Sequence, residues 1–454
     1  MKRFAPSSLH SRCVSSLGRT GDRKDDDRLL AASLSEAVGV DHVITDADLM
    51  ASYSHDWTRR FSGYPAAVVR PGSAVEVAKI LSVSRRLKAP VVTQGGNTGL
   101  VGGSTPRGRG MVVLSTRRLD ELSPVDTDSR QVTVGAGVTI AALQEHARLS
   151  GLAYGVDLAS RESATIGGTI ATNAGGIRVV LHGDTRAQVV GVEAVLGDGR
   201  VLRHLDGLPK DSAGYDLSGL LVGSEGTLGV VTRARVRLVD QLPHGRSTAL
   251  VGVMDVATAL RLVRSQRQLL AAEFLVGDAL SLVCDVTGLP FPLRRSWPLY
   301  VLLETAADVS LEADDDAVVD TRVWAYRERQ TEVVATLGVV HKLDVAVPLH
   351  RLQHLLDALP KAAEPFTVYA FGHLAEGNVH VEIVGAPPDD DGPDEAVLQL
   401  VAGLGGTISA EHGVGTAKAR WLALSRSPDE IDAMRSVKRA LDPDGLLNPG
   451  VLFA

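Results

Sequence analysis

Three glycine-rich segments, each carrying Ser, Thr or Asn, limit the folds open to this chain more than any other feature. QGGNTGLVGGS (94–104) follows the buried-strand pattern PVVT and places five glycines in eleven residues. DLASRESATIGGTIATNAGG (157–176) and GSEGTLG (223–229) repeat the texture. Glycine lets backbone amides face outward and approach a ligand closely, and successive exposed N–H groups form a concave anion site. One such loop is an ordinary tight turn; three call for an elongated, anionic cofactor. A nicotinamide-binding Rossmann unit is the obvious rival. VGAGVTI has G-x-G between strand and helix, but Ile140 stands at the third glycine position, where it crowds helix against strand, and 94–104 has the wrong spacing.

Around these loops short apolar strands alternate with helices. AAVVRPGSAVEVAKILSVSRRLKAPVVT reads strand, helix, strand; MVVL, QVTVGAG, VVGVEAVLGDGRVL and LGVVTRARVRLV add strands, with Asp198-Gly199 as a hairpin turn. After residue 242 the texture changes. MDVATALRLVRSQRQLLAAEFL reads as one long helix and VWAYRERQTEVVATL as another, while SWPLYVLLET, HKLDVAV, FTVYAF and VHVEIV read as strands. That pattern predicts an antiparallel sheet with helices on one face. APPDDDGPDEA (386–396) reads as a surface loop. The expected organisation is a disordered tail over 1–29, an α+β domain over 30–242, a substrate-side domain over 243–396 and a C-terminal segment over 397–454.

Charge and cysteine content narrow the setting. A formal net charge of −7 argues against a nucleic-acid partner held by a broad basic surface. Cys13 and Cys284 provide no disulfide framework and cannot alone ligate an iron–sulfur relay, so a reducing, cytoplasmic compartment is expected. The sequence has no apolar run of about 18 residues, so no transmembrane segment is expected. MKRFAPSSLHSRCVSSLGRT, at the start, is basic, Ser-rich and free of acid; a disordered tail, or a start codon placed too far upstream, is the expected reading, with an organelle transit peptide as the alternative.

A second constellation lies toward the C-terminus. In FGHLAEGNVH (371–380) strand-like runs flank Gly377-Asn378, so the stretch reads as a hairpin with His373 and His380 at its lip. ISAEHGVGTAK (408–418) adds Glu411 and His412. Two imidazoles and a carboxylate are a ligand set for a divalent metal with open positions, although a His pair beside a turn is ordinarily surface or core packing.

Taken in order, PxxVVxPxSxxEVAxI (from Pro65), QGGNTGLVGGS, SATIGGTIATNAGG and GYDLxxLLVGSEGTLGVVT resemble the flavin domain of the vanillyl-alcohol-oxidase superfamily. GHLxxGNxH and SAEHGxG resemble the metal motifs of its branch of D-lactate, glycolate and D-2-hydroxyglutarate dehydrogenases. The resemblance implies an α+β fold: a two-subdomain PCMH-type FAD-binding domain, an antiparallel-sheet cap domain and a C-terminal helical segment. It implies FAD, noncovalent because the 94–103 loop has no histidine, lying along Gly95, Gly96, Asn97, Thr98, Gly99, Ser104, Asp157, Ser160, Thr165, Gly168, Asn173, Gly175, Gly176, Glu225 and Asn448. By the same match His373, His380 and Glu411 hold a divalent metal (zinc first, with Mn, Fe or Co as alternatives) and His412 is the base. WxxREx(2)T followed by Lys implies that Arg327, Thr331 and Lys342 bind the substrate carboxylate, a role in which Arg offers a bidentate fork and Lys a point charge.

The implied chemistry is coherent. Oxidising a 2-hydroxy acid removes the hydroxyl proton and transfers the α-hydrogen as hydride. A divalent cation favours the alkoxide, an imidazole takes the proton near neutral pH and the flavin is the electron sink. Two departures stand out. Ala375-Glu376 replaces the usual Gly-Asp, keeping the acid, and Glu382, two residues past His380 on the same strand face, stands where the 2-hydroxyglutarate-type proteins typically carry Asn. A carboxylate there repels a second substrate carboxylate, so a D-lactate-like monocarboxylate is the expected substrate. The alternatives are a D-2-hydroxyglutarate dehydrogenase, a glycolate-oxidase-type subunit needing partner chains and, outside the class, a flavin-free metallohydrolase. Electrons are expected to leave to an external acceptor, a quinone, cytochrome or electron-transfer flavoprotein, with a homodimer among the allowed assemblies.

Overall fold

A computed structural model describes residues 20–453. The first lobe joins two four-stranded sheets and a two-stranded one. β1 (Val43–Ile44), β2 (Ala67–Val69), β3 (Val91–Gln94) and β4 (Val112–Ser115) form one, in the order β1-β2-β4-β3, with β2 and β3 parallel to β4. The helix Ala74–Arg86 makes the crossover: Ser73 caps it by accepting from the Glu76 amide, and Val77, Ile80 and Leu81 face the core. β5 (Gln131–Gly135), β6 (Leu152–Ala153), β7 (Val189–Leu196), β8 (Val201–Arg203), β9 (Gly229–Arg237) and β10 (Val239–Asp240) follow. β5-β9-β7-β8 form an antiparallel sheet, and β6 pairs with β10. Asp198-Gly199 makes the expected β7–β8 turn, with Gly199 at φ +89°.

The second lobe is a seven-stranded antiparallel sheet. Its strands are β11 (Ser247–Val253), β12 (Leu269–Val276), β13 (Leu299–Thr305), β14 (Ala317–Val319), β15 (Val340–Ala346), β16 (Thr367–His373) and β17 (Asn378–Val384), in the order β14-β11-β13-β12-β16-β17-β15. Alternation along β15 and β17 separates two chemistries. Leu343, Val345, Val379, Val381 and Ile383 pack with the helices Leu352–Ala362 and Gly392–Gly403 in the largest core cluster. The cross-strand pairs Lys342–Glu382, Asp344–His380, Phe371–His380 and Glu273–His373 carry their side chains on the opposite face. The chain then returns to the first lobe, where the Val91 amide donates to Leu446 O and the Asn448 amide to Val91 O.

Three sequence expectations are corrected. A helix spans Thr20–Val38, so residues 20–29 are not tail, and residues 1–19 lie outside the described chain. The single long helix over 254–275 is a helix, Val256–Ser265, followed by β12. LLAAEFLV is a continuous apolar run whose periodicity cannot separate a buried strand from a buried helix, and Gln268 at φ +53° marks the break. The 386–396 segment is not wholly surface loop: a helix starts at Gly392, and buried Asp394 accepts from Arg60 at 2.9 Å and faces His341 Nδ1 at 2.9 Å.

Candidate active site

The hairpin at 371–380 forms as the sequence suggests, closing through a short 3₁₀ turn with Gly377 at φ +68°. It brings His373 Nε2 within 3.4 Å of His380 Nε2. Glu411 enters from the loop after Ile408, its Oε1 lying 3.4 Å from His373 Nε2 and 3.6 Å from His380 Nε2. A donor triangle with such edges has its centre about 2 Å from each atom, the length of a zinc–nitrogen or zinc–oxygen bond. The three residues therefore fit a divalent cation. His412 stacks on His380, with centroids 5.2 Å apart and planes 12° apart; its Nε2 is 3.7 Å from Glu411 Oε1, and its buried Nδ1 has no partner among the described residues.

Carboxylates stand behind the imidazoles. Glu273 Oε1 lies 2.6 Å from His373 Nδ1. Asp344 Oδ2 accepts from the amides of Ala410, Glu411 and His412 at 3.1, 2.7 and 2.8 Å, and its Oδ1 accepts from Asn378 Nδ2 and lies 3.5 Å from His380 Nδ1. Asp344 groups with His380, Glu411 and His412 as a cation-capable cluster, but its Oδ2 is engaged by three backbone amides and its Oδ1 by the Asn378 side chain, and it fixes the loop that delivers Glu411. Burial opposes charge on His373, yet Glu273 and Glu411 hold its imidazolium well above the usual range, whereas burial pushes His380 down to about 3. Sequence reasoning missed Glu273 and Asp344. Asp344 left a trace, an acid two places from Lys342 in an otherwise apolar strand.

The substrate-side residues arrive already partnered. Arg327 donates Nε to Glu273 Oε2 at 2.7 Å and lies over the Phe371 ring, 4.7 Å from its centroid. Lys342 pairs with Glu382 in the sheet and lies 5.5 Å from the Trp57 ring centroid. Burial pushes the Glu382 carboxyl up against the pull of Lys342 and Arg327, and its Oε2 has no partner among the described residues. Glu382 is thus neutralised locally instead of standing as a free negative charge. Thr331 sits half-buried in the helix Gln330–Ala335, separated from the helix Trp324–Glu328 that carries Arg327.

The glycine loops fit an anionic cofactor. The amides of Gly96, Asn97, Thr98 and Gly99, directly after β3, donate to no group among the described residues, and Asn97 turns the chain at φ +58°. Such a run of free N–H donors is a ready anion cradle. A Cβ on Gly96 would sit 1.9 Å from Ser163 O, which joins this loop to the second one. Gly96→Ala is therefore expected to yield protein depleted of flavin, read as loss of the visible flavin absorption per mole of protein. Several polar residues assigned to the cofactor also hold the glycine loops in shape. Asn97 donates to His55 O and accepts from Ser104, and Thr165 caps the helix Ile166–Thr172 by accepting from the Gly168 amide. Asn173 closes that helix in a left-handed conformation and binds Asp184. Asp157 pairs with Arg161, and Ser160 O accepts from Ser163 and Ala164.

Two of the assigned side chains are wholly engaged by protein. Glu225 accepts from the Val414 and Gly415 amides at 2.8 and 2.7 Å, and Asn448 donates to Gly103 O and Glu225 O while accepting from Arg107. Glu225 ties the first lobe to the loop that follows Glu411, and Asn448 ties the C-terminal return to the first lobe. Glu411 joins the lobes as well: its Oε2 accepts from the Gly176 amide at 2.8 Å, at the end of the second glycine loop, where Gly175 leaves room for it.

A free-amide loop in one lobe and, on the sheet of the other, a donor triangle whose Glu411 meets the second glycine loop together define a flavoprotein oxidoreductase fold with a metal-capable second lobe. The sequence matches the FAD binding domain family over residues 65–204 and the C-terminal domain of FAD linked oxidases over 242–452. The chain belongs to the FAD-linked oxidases, which sets aside the flavin-free metallohydrolase. It is 37% identical over 468 residues to the D-2-hydroxyglutarate dehydrogenase of Xanthomonas citri pv. viticola, covering 94% of this chain and 97% of that protein. It is 36% identical over 446 residues to the mitochondrial D-2-hydroxyglutarate dehydrogenase of Bos taurus, covering 91% and 81%. Among solved structures, p-cresol methylhydroxylase with substrate bound matches with a TM-score of 0.75 at 16% identity, covering 94% of this chain and 97% of that one. At that identity the likeness establishes the fold. No helix among the described residues is long and apolar enough to cross a membrane.

Proposed function

We propose that the protein oxidises a D-2-hydroxy acid to the 2-oxo acid, with D-2-hydroxyglutarate as the substrate. The observation that carries the reading is the convergence of His373, His380 and Glu411, 3.4–3.6 Å apart, beside a stacked His412 whose Nδ1 is free. Relatives named for D-2-hydroxyglutarate, matched along nearly the whole chain, supply the substrate class.

In this reading His373, His380 and Glu411 hold a divalent cation, which supplies charge stabilisation for the substrate's hydroxyl oxygen when bound. FAD, when bound along the glycine loops, would supply the electron sink for the α-hydrogen. The chain's residues do the rest. Arg327, held by Glu273, offers its remaining guanidinium edge to a carboxylate. His412 takes the hydroxyl proton on its free ring nitrogen. Asp344 keeps the loop of Glu411 and His412 fixed while the proton moves. Two electrons then leave to an external acceptor.

The Lys342–Glu382 pair favours a second reading. If that lysine stays neutralised by Glu382, no charge is left over for a second carboxylate, and a monocarboxylate such as D-lactate is preferred. Steady-state dye reduction with both acids decides. Relative kcat/KM is expected to favour D-2-hydroxyglutarate; a higher value on D-lactate transfers the proposal to the second reading. No turnover of either acid by flavin-loaded, metal-supplemented protein sinks both.

A further inference from the structure

We propose that Glu273 is a positioning residue that fastens the carboxylate anchor of the substrate to the metal-binding imidazole, so that one buried side chain sets both. The inference deepens the function proposed above and rests on it for the role of Arg327. Glu273 is 1% exposed in the middle of the sheet, on β12, and is paired in register with His373 on β16. Its two oxygens divide between two partners: Oε1 meets His373 Nδ1 at 2.6 Å, and Oε2 accepts from Arg327 Nε at 2.7 Å. Phe371 completes the assembly, its ring beneath the Arg327 guanidinium and 5.2 Å from the His380 ring.

Each contact has a directional consequence. When a cation displaces the Nε2 proton, a carboxylate against Nδ1 keeps the other proton in place and leaves the Nε2 lone pair aimed at the space between Glu411 and His380. A carboxylate against Nε fixes the guanidinium plane and leaves the opposite edge for a carboxylate ligand. A buried carboxylate also needs compensating donors, and here the donors are these two groups. Glu273 therefore cannot shift toward one partner without releasing the other. A purely structural buried acid would have no reason to join a proposed ligand to a proposed substrate anchor.

The test uses the flavin-loaded full chain and has two independent readouts. Titration of metal-stripped protein with Zn²⁺ alone, without substrate, is expected to give a dissociation constant 10–100-fold weaker for Glu273→Gln than for wild type, the usual effect of losing a carboxylate behind a ligating histidine. The KM for the hydroxy acid, measured at saturating metal, is expected to rise on the order of tenfold because the arginine fork is no longer held. If Glu273→Gln does not retain flavin, the same measurements are made on Glu273→Asp, which keeps the charge but is too short to reach both partners; both values are again expected to weaken. Wild-type Zn²⁺ affinity in a folded variant overturns the proposal, as does a weakened metal site with an unchanged KM. Failure of the functional reading is separable, because wild-type protein would then turn over no hydroxy acid while the Zn²⁺ titration still reports on Glu273.

Discussion

Replacing His373 with alanine leaves the flavin bound and removes turnover. The side chain supplies one of three donors whose mutual distances are 3.4–3.6 Å, and two remaining donors do not close a cation site of that size. A Lewis-acidic cation contributes several kcal/mol of charge stabilisation, and each 1.36 kcal/mol is a factor of ten in rate, so a loss on the order of 10³-fold in kcat is expected. The glycine loops proposed to cradle the cofactor make none of their hydrogen bonds with His373, so the visible flavin spectrum is expected to survive. Kinetics, metal content and absorbance on one preparation check all of this. Loss of flavin together with activity would show that His373 is structural, and full activity would remove the metal from the mechanism.

Asp344→Ala carries the largest expected cost in stability. Its Oδ2 gathers three consecutive backbone amides and its Oδ1 the Asn378 side chain, with the carboxylate fully buried. Alanine leaves those donors without an acceptor, each at about 1–3 kcal/mol if water does not reach it. A total on the order of 3–5 kcal/mol is expected after relaxation, seen as a lower urea midpoint for the first unfolding transition. The loop of Glu411 and His412 should loosen with it, so Zn²⁺ affinity falls too. Asp344→Asn keeps one carbonyl acceptor for the amides and is expected to recover part of the loss. Equal midpoints for wild type and Asp344→Ala would mean that the loop is held by something else.

What the sequence made readable follows from how locally each feature is encoded. The hairpin of His373 and His380 was visible because glycine, asparagine and flanking valines write a turn within ten residues. Glu411 was named through motif resemblance, since nothing in the local spacing links it to a hairpin some thirty residues earlier. Glu273 was hidden because an apolar stretch with one acid reads equally as helix or strand, and only the strand assignment pairs it with His373. Asp394 was hidden for the opposite reason: its neighbours are so acidic that the segment looks solvated, while its partner Arg60 lies 334 residues away. Glu382 lies on the strand face the sequence indicates, while its partner Lys342 on the adjacent strand β15 was not legible, because cross-strand pairing is not written in local spacing.

The two oxygens of Glu411 belong to different neighbourhoods, one turned to the imidazoles and the other held by the Gly176 amide. Neither lobe by itself supplies every hydrogen bond that holds this side chain. The acid that completes the trio is thus tied from both sides, its backbone amide to Asp344 of the sheet lobe and its second oxygen to Gly176 of the cofactor lobe. Redox competence becomes a certificate of correct docking between the two halves.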